Sequence, residues 1–496
     1  MIETRRADLS AGHVVRGALV SLGGSLGSRL LGFLAIAILA RLLLPHDFGI
    51  VATAMIFIGL CRTLMSRQFH LALIRLPEVD RSHYDTAFTL TLIWGLVTAC
   101  GLFLGAGLLA QVMATPEIEP VLRVMALALL LEGLQSPVFA RFERNIDMRP
   151  AVILDWTAKL AQYVVSIGLA LLWHSYWALV LGFLAFTLAH ITLSYVFAPY
   201  HPRLSFAHAR AFLAFGGWLS GTGLAGYAIN FSDVTLIAMR LGSASVGIYN
   251  LAAEMVRMAS DYLAMPLSRA IYPGLSAVAH DRTRMRLAFL DAIEVSLGLM
   301  LPIGVGLGLA APEVVRLVLG ANWMGAVPVI QILAPAAGFA CVSHAAQSIV
   351  MADGRTRAMF ARNVTVAVIQ LPLILAGIIW AGLPGAACGR AAGMLMQGML
   401  SLVIAAPLAG VTSARLLLTP YRSIVACVLM ACGVIWLDQV VLIPAAAPLL
   451  IGLGAKIATG VVIYVLCHLG LWILSGRPRG FEHFLLARLM PALRRA

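Results

Sequence analysis

The chain has 496 residues, of which 61% are hydrophobic and 11% charged, with 35 basic against 22 acidic side chains. The charged share is less than half of the about 25% usual in soluble domains, which excludes a water-soluble globular protein and points to a polytopic membrane protein. The net charge of +13 would by itself suit a nucleic-acid binder, but the placement of the charges along the chain removes that reading.

The first apolar run and its following turn, GSLGSRLLGFLAIAILARLLLPHDFGIVATAM, occupy residues 24–55. About 20 apolar residues at 1.5 Å each cross about 30 Å of hydrocarbon, so this run predicts a membrane helix. It continues as a full span and should stay in the mature protein rather than act as a cleavable leader. Arg29 lies inside it, at a cost of about 2.5–3.5 kcal/mol for a charge at that depth. A paired acid, a water-filled cavity or an anionic ligand is needed to hold it there.

Apolar runs bounded by charges, Gly and Pro predict fourteen spans, all helical. They lie near 18–40, 48–66, 86–112, 119–140, 151–172, 177–198, 212–238, 246–268, 287–311, 325–350, 359–380, 383–410, 421–443 and 449–475. The connections are too short for a soluble catalytic domain on either face. With the N-terminus inside, 26 basic residues fall on inner segments, and only Arg41, Arg240 and Arg316 on outer connections. The inner set counts Arg62, Arg362 and Arg422 as loop charges. Such a split obeys the positive-inside rule, sets both termini in the cytoplasm and accounts for the basic excess without nucleic acid.

Trp173, Tyr176 and Trp177 mark an outer interfacial belt. The C-terminal FEHFLLARLMPALRRA reads as an interfacial helix on the inner leaflet or as a solvated tail. The seven cysteines sit in or beside apolar spans without a C-x-x-C pair, and the twelve histidines show no H-E-x-x-H, so neither metal nor cofactor is expected.

An internal repeat shows in LGFLAIAILARLLLPHDFGIVATAM (31–55) and INFSDVTLIAMRLGSASVGIYNLAA (229–253). The offset holds six spans, so both copies cross in the same sense, as in transporters built from two parallel halves meeting at a central cavity. The expected organisation is a cytoplasmic segment (1–17), an N-terminal six-helix lobe (18–200), a C-terminal six-helix lobe (211–410), an accessory helix pair (420–475) and a basic tail (476–496).

Several charges fall inside the spans. Glu132, followed by Gln135, could pair with Arg29. Asp155 and Lys159 stand in the favourable i, i+4 order and are expected to neutralise one another. Glu254, Arg257 and Asp261 share one helix face, as an ion-coupling site or a packing network. Asp233 is one turn from Asn230, and Arg390 could extend a basic patch in the second lobe. Arg123 and Lys456, near outer ends, are expected to snorkel.

The run ARLLLPHDFGI resembles the A-R-x-L-x-P-x-x-F-G signature of polysaccharide transporters. Asp233 with Arg240-Leu241-Gly242 and Val246-Gly247-Ile248-Tyr249, the stretch Tyr272-Pro273-Gly274-Leu275-Ser276, and GANWMGAVPVIQIL add to it in order and spacing. Over nearly its whole length the chain resembles Wzx-type flippases of the multidrug/oligosaccharidyl-lipid/polysaccharide exporter superfamily. The resemblance implies a MATE-like all-helical fold and alternating access. It also implies an undecaprenyl-pyrophosphate-linked oligosaccharide carried from the cytoplasmic to the periplasmic leaflet of the bacterial inner membrane, with polymerase and other assembly proteins as partners.

Related flippases bind pyrophosphate through arginines of the N-terminal lobe, a role that Arg29 fits best. Glu132, Lys159 and Arg390 are the other expected cavity residues. Arginine suits the ligand because its planar fork is permanently charged and binds phosphate in a bidentate way. The chain lacks G-x-x-x-x-G-K-[ST], so the membrane potential, about 2.3 kcal/mol per charge per 100 mV, is the expected energy source. Competing readings are a MATE-like drug or cation antiporter and a polytopic polymerase or ligase; the latter lacks the large outer loop or acidic motif it would need.

Overall fold

A computed structural model describes the backbone of residues 11–65, 70, 72–74, 76, 78–277, 282–352, 356–412, 416, 420–444 and 448–475. The side chains of 11–19, 22, 65, 215–223, 225, 228–230, 261–277, 282, 351, 352 and 356 lie outside the description. The readings of Asn230, Asp261 and the tail 476–496 therefore concern residues or side chains outside the described set.

All regular elements among the described residues are helical. They are α1 (Ala11–Leu42), α2 (Pro45–Met65), α3 (Arg81–Val112), α4 (Ile118–Glu132), α5 (Ala140–Arg144), α6 (Arg149–Trp173), α7 (Trp177–Phe197) and α8 (Ala209–Ala277). They continue with α9 (Arg282–Leu309), α10 (Ala311–Val318), α11 (Ala326–Ala340), α12 (Val342–Ala352), α13 (Thr356–Ala405), α14 (Tyr421–Leu437) and α15 (Leu449–Leu474). Large apolar side chains such as Leu104, Leu172, Ile379 and Leu474 are exposed on their outer faces, as a hydrocarbon solvent requires.

Each of the fourteen expected spans falls on helix, but fewer separate helices carry them. Among the described residues, 11 helices are long and apolar enough to cross a membrane, or 12 when the pair bent by 62° at Ile118–Glu132 and Pro137–Arg144 counts as one. Two long helices each hold a pair of expected spans. α8 breaks at Gly242, whose φ of 76° and ψ of 174° leave the helical region. α13 breaks at Ala381 and Gly382.

In α13 the chain folds back on itself. A Cβ on Gly377 would lie against the Gly385 carbonyl, one on Gly389 against Ile374, and one on Gly393 against Gln370. Partners that move in opposite directions along the chain mean antiparallel helices. Gly382, at φ +61°, supplies the left-handed turn that makes the reversal.

The chain divides into two compact units, Met1–Ile248 and Tyr249–Ala496. In the first, α1 lies on α6 through small residues. A Cβ on Gly27 would run into the Trp156 ring, and Trp156 Nε1 donates to the Gly24 carbonyl at 2.9 Å. Membrane helices that share a lipid solvent gain by such close backbone approach rather than by a hydrophobic drive.

The LLPHDFGI turn now has a physical meaning. Pro45 opens α2, where its missing N–H costs nothing. Asp47 Oδ2 accepts from the Leu44 N–H at 2.9 Å and Oδ1 from the Tyr176 N–H at 3.2 Å, capping one helix and tying down the start of another. Gly49 faces the Ser243 carbonyl, and Gly247 faces the Pro45 carbonyl. A shift of 198 residues carries Pro45 onto Ser243 and Gly49 onto Gly247, so this contact inside the first unit is reciprocal between the two copies of the sequence repeat.

The second unit buries its own charges. Lys456 Nζ donates to Glu313 Oε1 at 2.7 Å and lies 2.9 Å from Asp438 Oδ1, with 5% of the residue exposed. The expectation that Lys456 snorkels is thus corrected: two carboxylates on neighbouring elements keep it inside. Arg422 and Arg362, counted as loop charges, are also buried in helices. Arg422 pairs with Glu294 at 2.7 Å, and Arg362 donates to Ser401 Oγ at 2.7 Å.

Candidate functional site

Four helices of the first unit frame a polar pocket of about 660 Å³. α2 brings Arg62, α4 ends on Glu132, α6 contributes Asp155 and α7 contributes His190. Asp155 is six residues from the start of α6 and His190 seven from the end of α7, so both stand about 10 Å inside their helix ends. His70 and Glu143 also line the pocket.

The central feature is the Arg62–Glu132 pair. Arg62 Nε donates to Glu132 Oε1 at 2.9 Å and Oε2 at 3.0 Å, and a second guanidinium nitrogen also binds Oε1. The guanidinium sits 4.8 Å above the Phe183 ring centroid, which supports it from behind by cation–π attraction. Pairing with Arg29 was one of the readings open for Glu132; the structure pairs it with Arg62. Arg62 was read as a loop charge because it stands at the end of an apolar run. Only the packing of α2 against α4 turns it inward.

The other carboxylates are also engaged. Lys159 Nζ donates to Asp155 Oδ2 at 3.0 Å and to Ser28 Oγ at 2.6 Å, while Ser28 Oγ lies 3.0 Å from the same carboxylate oxygen. The i, i+4 pair of α6 is therefore closed, and Ser28 ties it to α1. His70 Nε2 lies 3.3 Å from Glu143 Oε2. The lining thus carries one guanidinium, three carboxylates and two imidazoles.

Arg29 follows Ser28 on α1 and is half-buried, but it is not among the pocket-lining residues. Asp233 is buried in α8, where its Oδ1 accepts from the Val234 N–H at 2.9 Å. Glu254 and Arg257 form an ion pair on α8 in the second unit, and Arg390 is half-buried on α13. Of the expected cavity residues, Glu132 lines this pocket and Lys159 braces it through Asp155. His190 had no sequence signal, being a lone histidine in an apolar helix.

Chemically, the pocket offers a forked cation whose two donors are filled by a carboxylate. A phosphate presents the same pair of oxygens, so it can replace Glu132 on Arg62 without moving the guanidinium.

Residues 38–328 match the model of a family described as polysaccharide biosynthesis protein. The chain is 25% identical to lipopolysaccharide biosynthesis protein WzxC of Escherichia coli (strain K12), over 75% of this chain and 77% of that protein. It is 26% identical to succinoglycan biosynthesis transport protein ExoT of Rhizobium meliloti (strain 1021), over 62% and 63% of the two chains. Among solved structures, lipid II flippase MurJ in an inward closed conformation superposes with a TM-score of 0.74 at 12% identity, over 92% of this chain and 99% of that one. An inward-facing multidrug resistance MATE family transporter superposes with a TM-score of 0.55 at 14% identity, over 80% and 96%.

Proposed function

The chain belongs to the polysaccharide biosynthesis protein family, and on that premise we propose that it is a flippase for a lipid-linked oligosaccharide used in exopolysaccharide, O-antigen or capsule assembly. It is a multi-pass transporter and not an enzyme. Alternating access of its two halves, with the N-terminus at the cytoplasmic face of a bacterial inner membrane, moves the cargo outward to the polymerase and other assembly proteins.

The observation that carries the reading is the bidentate hold of Arg62 on a carboxylate inside membrane-length helices. Arg62 takes the pyrophosphate, and Glu132 is the counter-ion it leaves to do so. Arg29 and Lys159 add positive charge nearby. Freed Glu132 remains in the lining of the pocket. The groups facing it are Arg62, Asp155, Glu143, His70 and His190, with Lys159 behind Asp155.

A MATE-like cation exporter is the second reading, favoured by the three carboxylates of the lining. Mass spectrometry of polyprenyl-linked oligosaccharides in cells depleted of the protein separates the two. With an external hydrolase to report the leaflet, accumulation of a complete, protected repeat unit is expected. Accumulation on the accessible face instead identifies a polymerase or ligase, and an unchanged lipid pool favours the cation exporter.

A further inference from the structure

Away from the pocket, at the N-terminal end of α3, three metal-ligating side chains converge from two distant parts of the chain. Asp80 caps α3: the His83 N–H donates to Asp80 Oδ1 at 3.0 Å, and Ser82 Oγ donates to the same oxygen at 2.8 Å. His83 Nδ1 is 2.6 Å from that oxygen as well. These hydrogen bonds all fall on Oδ1, which leaves Oδ2 with lone pairs for another partner.

His208 comes from the connection that leads into α8, 126 residues from Ser82. Its ring stacks on His83 with centroids 3.8 Å apart and planes 6° from parallel. Its Nε2 lies 2.8 Å from Ser82 Oγ. The helix cap explains Asp80 and His83, but it has no use for His208, which a separate segment delivers.

We propose that Asp80, His83 and His208 form a binding site for a divalent late first-row transition-metal ion, with Zn²⁺ as the expected occupant. One ligand atom from each residue lies within 4.8 Å of the others. Two imidazoles and a carboxylate are the donor set that zinc accepts, with bonds of about 2.0–2.2 Å and a fourth position left for water. Ligands of a tetrahedral ion stand about 3.3 Å apart by that geometry, so the widest gap closes by at most about 1.5 Å on binding. The two imidazole planes, parallel here, must also turn so that their in-plane lone pairs converge on the ion; rotation of the exposed Asp80 and of the two partly buried histidines supplies both movements.

Ser82, bound to both Asp80 and His208, is the outer partner that orients them. The nearby cation Arg81 is turned to Asp85, with Nε 3.9 Å from Oδ2, which reduces its repulsion of a metal ion. A bound ion would staple the first turn of α3 to the connection before α8, a link that involves neither Arg62 nor Glu132.

The test uses the purified full chain with any affinity tag removed. Co²⁺ is titrated and followed by the visible absorption of tetrahedral cobalt, and Zn²⁺ then competes it off. One ion per chain is expected. His208→Ala and His83→Ala each weaken binding by about tenfold or more. Asp80→Asn does the same while keeping a good helix cap, so its loss of binding does not report misfolding. His174→Ala, in the turn after α6, leaves binding unchanged. A wild-type protein without the tetrahedral spectrum overturns the assignment. So does a folded His83→Ala/His208→Ala double variant that binds as tightly as wild type.

Discussion

The reciprocal contact between Gly49 and Gly247 makes a quantitative prediction. A Cβ built on Gly49 would lie 1.7 Å from the Ser243 carbonyl oxygen and 3.0 Å from its Cα. One on Gly247 would lie 1.9 Å from the Pro45 carbonyl oxygen and 2.9 Å from the Gly49 nitrogen. An ordinary C···O contact is about 3.3 Å or more, so either alanine requires the two backbones to part by about 1.5 Å. No side chain can rotate out of the way, because the opposing atoms are main chain.

Overpacking of this kind costs about 1–3 kcal/mol. For a unit of this size that lowers Tm by about 2–12 °C, at roughly 2–4 °C per kcal/mol. One separation relieves both clashes, so the Gly49→Ala/Gly247→Ala double variant should cost clearly less than the sum of the singles. Ser243→Ala should be near neutral, since only its carbonyl is touched. Thermal unfolding in detergent reads all four variants. An unchanged Tm in both glycine variants, or strict additivity in the double, would refute the packing.

Other outcomes follow from the ion pairs and hydrogen bonds. Arg62→Ala should abolish export at normal abundance, and Arg62→Lys should restore it only partly, for want of the fork. Glu132→Gln should bind the pyrophosphate-linked cargo at least as tightly as wild type, measured by cargo retention in detergent. Lys456→Met leaves the largely buried Glu313 carboxylate without its cation, while Asp438 is closer to the surface, and should destabilise by about 3 kcal/mol in a denaturation curve.

Tyr200 donates to Asp85 Oδ1 at 2.6 Å in a buried site, so Tyr200→Phe should cost about 1.5–3 kcal/mol. Burial, reinforced by the Asp85 carboxylate, raises the Tyr200 phenol above its usual range. Its contribution is thus complete below about pH 10 and declines as the pH rises further, a decline that the phenylalanine variant should lack.

Composition and apolar runs were enough to determine a helical membrane protein, because hydrocarbon admits only backbones that satisfy their own hydrogen bonds. Residues 31–55 and 229–253 also carried the repeat in one dimension, and the ARLLLPHDFGI motif pointed to the family. Reading Arg62, Arg362, Arg422 and Lys456 as loop or snorkelling charges failed for one shared reason. Counting charges at the ends of apolar runs cannot see which side of a helix another helix will cover. The pairs Arg62–Glu132, Arg422–Glu294 and Lys456–Glu313 join residues 70, 128 and 143 positions apart. No local spacing encodes such partners. Helix packing alone selected Arg62 over Arg29 for Glu132 and brought His208 onto His83, because the low dielectric that makes an isolated charge costly also makes its partner specific.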